Sequence, residues 1–258
     1  MSKRVPRRGA WPSLGIVVPI YNEEACVERA CRRIAAVADW YAGEAAVIAV
    51  DDGSVDGTAA ILSRLEPEIA SLEAVRHEAN AGYGAALRTG AERANELGLD
   101  YVAFIDGDLT NPPEDLLKIA ELARRGYPYI KASRFVAGGG MSSVPLSRRI
   151  VSRAGNVVGR TLFGIRVRDV TNGFRAVRTD LFLSWRLRER GFAMIVEELD
   201  SALRIGIEPV EFPSVLTARG GSQRPTAFAY SPRVVLAYLR YPMRAFGRRL
   251  RGRSSGSG

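Results

Sequence analysis

Asp106 and Asp108 stand two residues apart, just after the apolar run Tyr101-Val102-Ala103-Phe104-Ile105. That run is rich in aromatic and branched residues and reads as a buried strand. Gly107 between the two acids lets the chain turn sharply. Asn111-Pro112-Pro113-Glu114-Asp115 then places proline and acids where a helix begins. Two carboxylates this close repel each other unless a cation lies between them. A hard divalent ion shared with a diphosphate would meet that need. The alternative is a solvated turn, because Asp-Gly is ordinary turn chemistry.

The elements around the pair alternate. Leu14 to Pro19 reads as a strand, and Asn22 as the cap of a helix opening with Glu23-Glu24 and running to about Val37. Ala45 to Val50 is a second strand ending at Asp51-Asp52-Gly53-Ser54, and Asp56 or Thr58 opens the next helix. Leu72 to Arg76 is a short strand, and Asn80 to Gly84 is a glycine loop leading into a helix from Ala85 to about Glu96. Such alternation predicts a mostly parallel sheet with helices on both faces, an α/β fold. Strand C-terminal ends share one edge there, so Tyr21-Asn22-Glu23, Asp51-Asp52 and Asp106-Gly107-Asp108 should converge. Beyond them come a strand from Tyr129 to Arg134, a spacer at Gly138-Gly139-Gly140 and a helix from Arg148 to Phe163. A polar turn from Asp169 to Arg175, a helix from Val196 to Ile205 and a strand from Ile207 to Phe212 follow.

With 258 residues, the chain suits one large α/β domain or two small ones. No run approaches the ~20 apolar residues of a membrane span, and no apolar leader follows the basic start. Cys26 and Cys31 fall in one expected helix, which suits neither a disulfide framework nor a zinc site and implies a reducing cytosol. The net charge of +9 belongs to the ends: Lys3, Arg4, Arg7 and Arg8 open the chain, and nine arginines but no acid follow Glu211. Ser231 to Arg253 interleaves seven arginines with Val234, Val235, Leu236, Tyr238, Leu239, Tyr241, Met243 and Phe246. That segment suits a helix at a membrane interface or one packed on the domain, with Pro242 breaking or kinking it. Elsewhere aromatic and basic residues do not interleave, which argues against nucleic acid. The expected division is a basic tail over 1–12, a main domain over 13–225, a basic amphipathic segment over 226–253 and a flexible tail over 254–258.

Further motifs follow in a fixed order: Val18-Pro19-Ile20-Tyr21-Asn22-Glu23, Asp51-Asp52-Gly53-Ser54, Asn80 to Gly90, Asp106-Gly107-Asp108-Leu109, Ala132-Ser133-Arg134-Phe135 and Asp169-Val170-Thr171-Asn172-Gly173-Phe174-Arg175, with Glu197 in a late helix. Together they resemble the family 2 glycosyltransferases of GT-A fold. The nearest likeness is to dolichol-phosphate mannose synthases and bacterial polyprenyl-phosphate hexose transferases. The resemblance spans roughly Leu14 to Arg224. It implies that Pro19, Tyr21, Glu23 and Gly107 cradle a nucleotide sugar and that Asp52 hydrogen-bonds the base. It also implies that Asp106 and Asp108 hold Mg²⁺ or Mn²⁺, and that Arg134 faces an acceptor phosphate. Two departures stand out: Thr110 where the family often has glutamine, and Gly220-Gly221-Ser222-Gln223-Arg224 where many members end in lysine.

The resemblance implies an inverting transfer of a hexose from GDP- or UDP-hexose to a polyprenyl phosphate, by an enzyme peripheral to the cytoplasmic face of a membrane. A membrane-protein partner could bring it there. The second pKa of a phosphate monoester lies near ~6, so such an acceptor is already a nucleophile and needs positioning cations rather than a base. Lys131, Arg134, Arg148 and Arg149 suit that role. The alternatives are a hydroxyl acceptor, which needs a general base, or a non-catalytic nucleotide-sugar-binding protein. Simpler readings exist for single residues. Asp51 and Asp52 could cap a helix, Glu197 could be a catalytic residue or a surface charge, Asp169 could order its turn, His77 could be a surface residue and Tyr83 packing.

Overall fold

Side-chain alternation along the central strands decides how the sheet is covered. A computed structural model describes residues 11–217 and 232–254. In β1 (Leu14–Ile20), β2 (Ala45–Asp51), β3 (Leu72–Arg76) and β4 (Tyr101–Phe104), successive residues face opposite sides of a sheet. Leu14, Ile16, Val18 and Ile20 join Val47, Ala49, Tyr101 and Ala103 in one core. Val17, Ile48, Val50, Val102 and Phe104 belong to a second. The first core is closed by α1 (Val27–Trp40), α2 (Thr58–Leu65) and α4 (Leu116–Arg124). The second is closed by α3 (Tyr83–Glu96), α6 (Thr179–Ser184), α7 (Met194–Arg204), the end of α5 (Leu146–Phe163), and Tyr241 and Ala245 of α8 (Pro232–Ser254).

The sheet has seven strands in the order β3-β2-β1-β4-β7-β5-β8, with β5 at Tyr129–Ser133, β7 at Arg175–Arg178 and β8 at Val210–Pro213. β1 runs parallel to β2 and β4, β2 to β3, and β5 to β8. Among the described strands only β7 is antiparallel, between β4 and β5. A small parallel pair, β6 (Gly140–Met141) and β9 (Val215–Leu216), lies apart from it. The mostly parallel α/β sheet expected from the alternation is what forms.

β7 is the element the sequence conceals, because a charged residue stands where a buried strand should be apolar. Arg175 is fully buried. Its Nε and Nη2 donate to the Glu198 carboxylate of α7 at 2.9 and 2.6 Å, and its Nη1 donates to the Gly173 carbonyl at 2.7 Å. Its guanidinium stacks over the Phe104 ring at 4.4 Å. Burial opposes the charge on Arg175, but Glu198 overrides that and raises its pKa. The polar turn expected to reach Arg175 therefore ends at Phe174.

Several boundaries also move. Asn22 does not cap α1, which begins only at Val27. Asn22 instead adopts φ +53°, gives its N–H to Ser54 Oγ at 2.8 Å and takes the Val55 N–H at 2.8 Å. It is thereby committed to tying the end of β1 to the loop after β2. Pro242 does not end α8, which runs on to Ser254. The tails over 1–10 and 255–258 and the loop Gly220 to Arg224 lie outside the described residues.

Breaking a buried ion pair leaves one charge uncompensated, at a cost of about 3–5 kcal/mol. Glu198→Ala should therefore destabilise the fold by about that much in urea denaturation, and Glu198→Leu with Arg175→Met should recover most of the loss. A Glu198→Ala protein as stable as the parent would show that β7 does not depend on the pair.

Candidate active site

The parallel strands bring four chain ends to one sheet edge. The ends of β2, β1 and β4 are immediate neighbours. Asp52 N–H donates to the Ile20 carbonyl at 2.8 Å, fixing two of them together. Past β4, Asp106, Gly107 and Asp108 form a turn closed by the Leu109 N–H on the Asp106 carbonyl at 3.2 Å. Leu109 adopts φ +54°, a costly backbone for leucine, and is held there by burial. Asp108 Oδ1 takes the Thr110 N–H at 3.1 Å. The Thr110 carbonyl in turn accepts the Thr217 N–H at 2.8 Å.

Among the described residues, no three His, Cys, Asp or Glu side chains gather as a metal cluster. Asp106 and Asp108 thus offer two carboxylates. That share fits a magnesium-type ion, which takes one or two carboxylates from protein and the rest of its ligands from phosphate oxygens and water.

On the β1 side, Tyr21 is exposed, Pro19 and Glu23 are half-buried, and the Glu23 carboxylate takes the Cys26 thiol at 3.0 Å. On the β5 side, one strand beyond β7, Arg134 forms a two-point pair with Asp169. Nε to Oδ2 is 2.7 Å and Nη2 to Oδ1 is 2.8 Å, with a further bond from Nη2 to Thr171 Oγ1 at 2.9 Å. Burial disfavours a charge on Asp169, but Arg134 outweighs it and holds the carboxyl below its usual range. Arg148 and Arg149, in the first turn of α5, are exposed. The ends of β4 and β5 lie two strand spacings apart, roughly 10 Å.

A family model described as glycosyl transferase family 2 matches residues 15–184. The chain belongs to that family. Polyprenol monophosphomannose synthase of Mycolicibacterium smegmatis is 27% identical to this glycosyltransferase over 217 residues, covering 79% of this chain and 77% of the relative. Undecaprenyl-phosphate mannosyltransferase of Micrococcus luteus is 29% identical over 206 residues, covering 79% and 83%. Among solved structures, glucosyl-3-phosphoglycerate synthase from Mycobacterium tuberculosis, crystallised with Mn²⁺, UDP and phosphoglyceric acid, superposes with a TM-score of 0.63. It is 22% identical and covers 90% of this chain and 78% of that one. The fold is GT-A.

The structure corrects several expectations for the glycosyltransferase. Lys131 does not face an acceptor: it is fully buried and donates to the Asn172 carbonyl. Burial, aided by the neighbouring Arg175 guanidinium, pushes its ammonium down to about 7. Glu197 has a structural task. Its oxygens take the backbone N–H groups of Arg188 and Glu189 at 2.8–3.1 Å, which orders the segment between α6 and α7. Asp52 caps no helix and is buried. It accepts His77 Nδ1 at 2.7 Å and the N–H groups of Ala81 and Gly82 at 2.9 and 2.8 Å. It therefore orders the loop before α3 and does not project from the edge. His77 is no simple surface residue, because its Nε2 meets Thr89 Oγ1 at 2.9 Å.

Sequence reasoning assigned no site role to Tyr83, whose hydroxyl lies 3.2 Å from Asp106 Oδ1. It also missed the anchoring role of Glu189. The Glu189 carbonyl takes Arg88 Nη1 at 2.8 Å and its carboxylate takes the Tyr241 hydroxyl at 2.8 Å. The Asn80-to-Gly84 glycine loop was the available signal. Gly82 adopts φ +98°, and a Cβ on Gly84 would lie 2.2 Å from the Glu189 carbonyl, so the two glycines admit this segment against α3.

Lys131 gives a pH test. Its folded pKa of about 7 lies below the ordinary lysine value of 10.5, so between those limits the unfolded chain binds more protons than the folded one. Stability from this group therefore rises with pH across that window. Lys131→Met removes the effect. Measured by urea denaturation, the parent should gain on the variant between pH 7 and 10, and a constant difference would refute the burial-depressed lysine.

Proposed function

We propose that this glycosyltransferase moves a hexose from GDP- or UDP-hexose to a polyprenyl phosphate, with inversion, at the cytoplasmic face of a membrane. The observation that carries the reading is the spacing of opposite charges along one edge, with the Asp106/Asp108 pair on one side of β7 and Arg134 on the other. The two mannosyl-transferring relatives are named for polyprenol and undecaprenyl phosphate, which supports the acceptor class.

In this reading, Pro19, Tyr21, Glu23 and Gly107 border the nucleotide sugar, with Asp52 ordering the loop beneath. Asp106 and Asp108 would hold Mg²⁺ or Mn²⁺, which supplies charge neutralisation for the leaving diphosphate. Arg134, fixed in advance by Asp169 and Thr171, orients the acceptor phosphate, and Arg148 and Arg149 add positive charge at its entry. The acceptor oxygen attacks without surrendering a proton to the protein. The partners of His77, Glu197 and Asp169 favour this over a hydroxyl acceptor, since each is committed to ordering the fold.

The acceptor lives in a bilayer, yet no helix among the described residues is long and apolar enough to cross one. Two packed helices suit surface contact instead. On α5, Leu146, Ile150 and Val157 recur along one exposed stripe, and on α8 so do Leu236, Met243 and Leu250. Arginines flank both stripes. Such faces lie in an interface by apolar burial plus attraction to anionic lipid.

The deciding assay incubates the protein with a panel of sugar nucleotides, metal and polyprenyl phosphate, and follows released nucleoside diphosphate together with sugar-bearing lipid. Asp108→Asn should lower turnover at least ~100-fold. Transfer only to hydroxyl acceptors would refute the acceptor, and full activity in excess chelator would refute the metal.

For the membrane contact, the protein should pellet with anionic vesicles at low salt and release at high salt, since salt screens the arginines. Met243→Glu with Leu250→Glu should weaken that binding while leaving the fold intact. Unchanged pelleting of the double variant would place the contact elsewhere.

A further inference from the structure

Tyr83 opens α3 directly behind the metal-binding turn, on a different element from either aspartate. Its hydroxyl reaches Asp106 Oδ1 at 3.2 Å. Its ring is stacked on Phe192 with centroids 4.5 Å apart and planes inclined by 30°. The Gly84 N–H donates to the Arg190 carbonyl at 2.7 Å, so backbone as well as side chain pins the segment before α7 across the start of α3. The tyrosine is therefore held at two points, and its hydroxyl has little freedom to leave the carboxylate.

Space on the opposite side is equally restricted. A Cβ on Gly173 would lie 3.2 Å from the Tyr83 hydroxyl and 3.5 Å from Asp106 Oδ2. The turn before β7 thus borders both groups closely. A phenol hydroxyl keeps its proton at neutral pH, so Tyr83 is the donor and the Asp106 carboxylate the acceptor.

We propose that Tyr83 is a positioning residue for the metal-holding carboxylate, donating to one oxygen of Asp106 so that the other is presented to the ion. This rests on the metal reading of Asp106 and Asp108. A carboxylate that must serve a metal with one acidic companion among the described residues benefits from a fixed orientation, because each misaligned conformer is one it must leave on binding. Hydrogen-bonded partners of metal ligands typically change metal affinity 10–100-fold when removed. The bland alternative is that Tyr83 simply fills space between α3 and Phe192. Tyr83→Phe separates the two, since it keeps the ring and its stack and removes only the donor.

The test counts bound Mn²⁺ on the full chain by electron paramagnetic resonance, in the presence of GDP or UDP. The unaltered protein should bind Mn²⁺ and Asp108→Asn should lose it. Tyr83→Phe should raise the Mn²⁺ Kd by roughly tenfold, with thermal midpoint and metal-free nucleotide affinity unchanged. Equal Mn²⁺ affinity in Tyr83→Phe and the parent would overturn the positioning role alone. A Mn²⁺ loss matched by losses in thermal midpoint and metal-free nucleotide binding would assign Tyr83 to packing, again overturning it. No Mn²⁺ binding by the parent would overturn the metal reading, and this inference with it.

Discussion

The buried contact between Arg175 and Glu198 underlies the geometry of the functional edge. It lets a charged antiparallel strand sit in the middle of an otherwise parallel sheet. That strand keeps β4 and β5 apart, and so separates the carboxylate pair from Arg134. The same guanidinium takes the Gly173 carbonyl, while Lys131 takes that of Asn172. Two buried donors thus hold the turn that borders Asp106. A buried charge such as that of Arg175 is tolerated only when paired and hydrogen-bonded, and here the pairing also fixes a loop.

Charge is partitioned along the edge as well as balanced within it. Acids occupy the ends of β2 and β4, and an arginine held by an acid occupies the end of β5. Strand order sets the acids and the arginine apart, with β7 between them. The Arg134–Asp169 pair is itself pre-organised, since two parallel bonds fix the orientation of the guanidinium.

Much of this was legible in the sequence. The alternating strands and helices, the convergence of Tyr21, Asp52 and Asp106 at neighbouring strand ends, and the Asp106/Asp108 turn followed from periodicity and turn chemistry. What stayed hidden was long-range. Arg175 reads as polar until Glu198 is seen against it, so β7 was lost in a turn. Lys131 reads as a cation at a strand end, and only burial shows that it points inward. Asn22 has the composition of a helix cap, yet its partners are Ser54 and Val55, thirty-odd residues away. Local propensity cannot signal such a choice, because a side chain that can cap a helix can equally bridge two loops.

Glu189 joins three helices through one residue. Its N–H goes to Glu197 of α7, its carbonyl to Arg88 of α3 and its carboxylate to Tyr241 of α8. In mechanical terms it is a rivet. The segment before α7 cannot peel from α3 without straining the hold on α8, and α8 cannot lift at Tyr241 without tugging that segment. Local opening of any one of these pieces thus loads the other two. A helix with an exposed apolar and basic outer face is thus tied, through its inner face, to the segment that packs on Tyr83 beside the Asp106 turn.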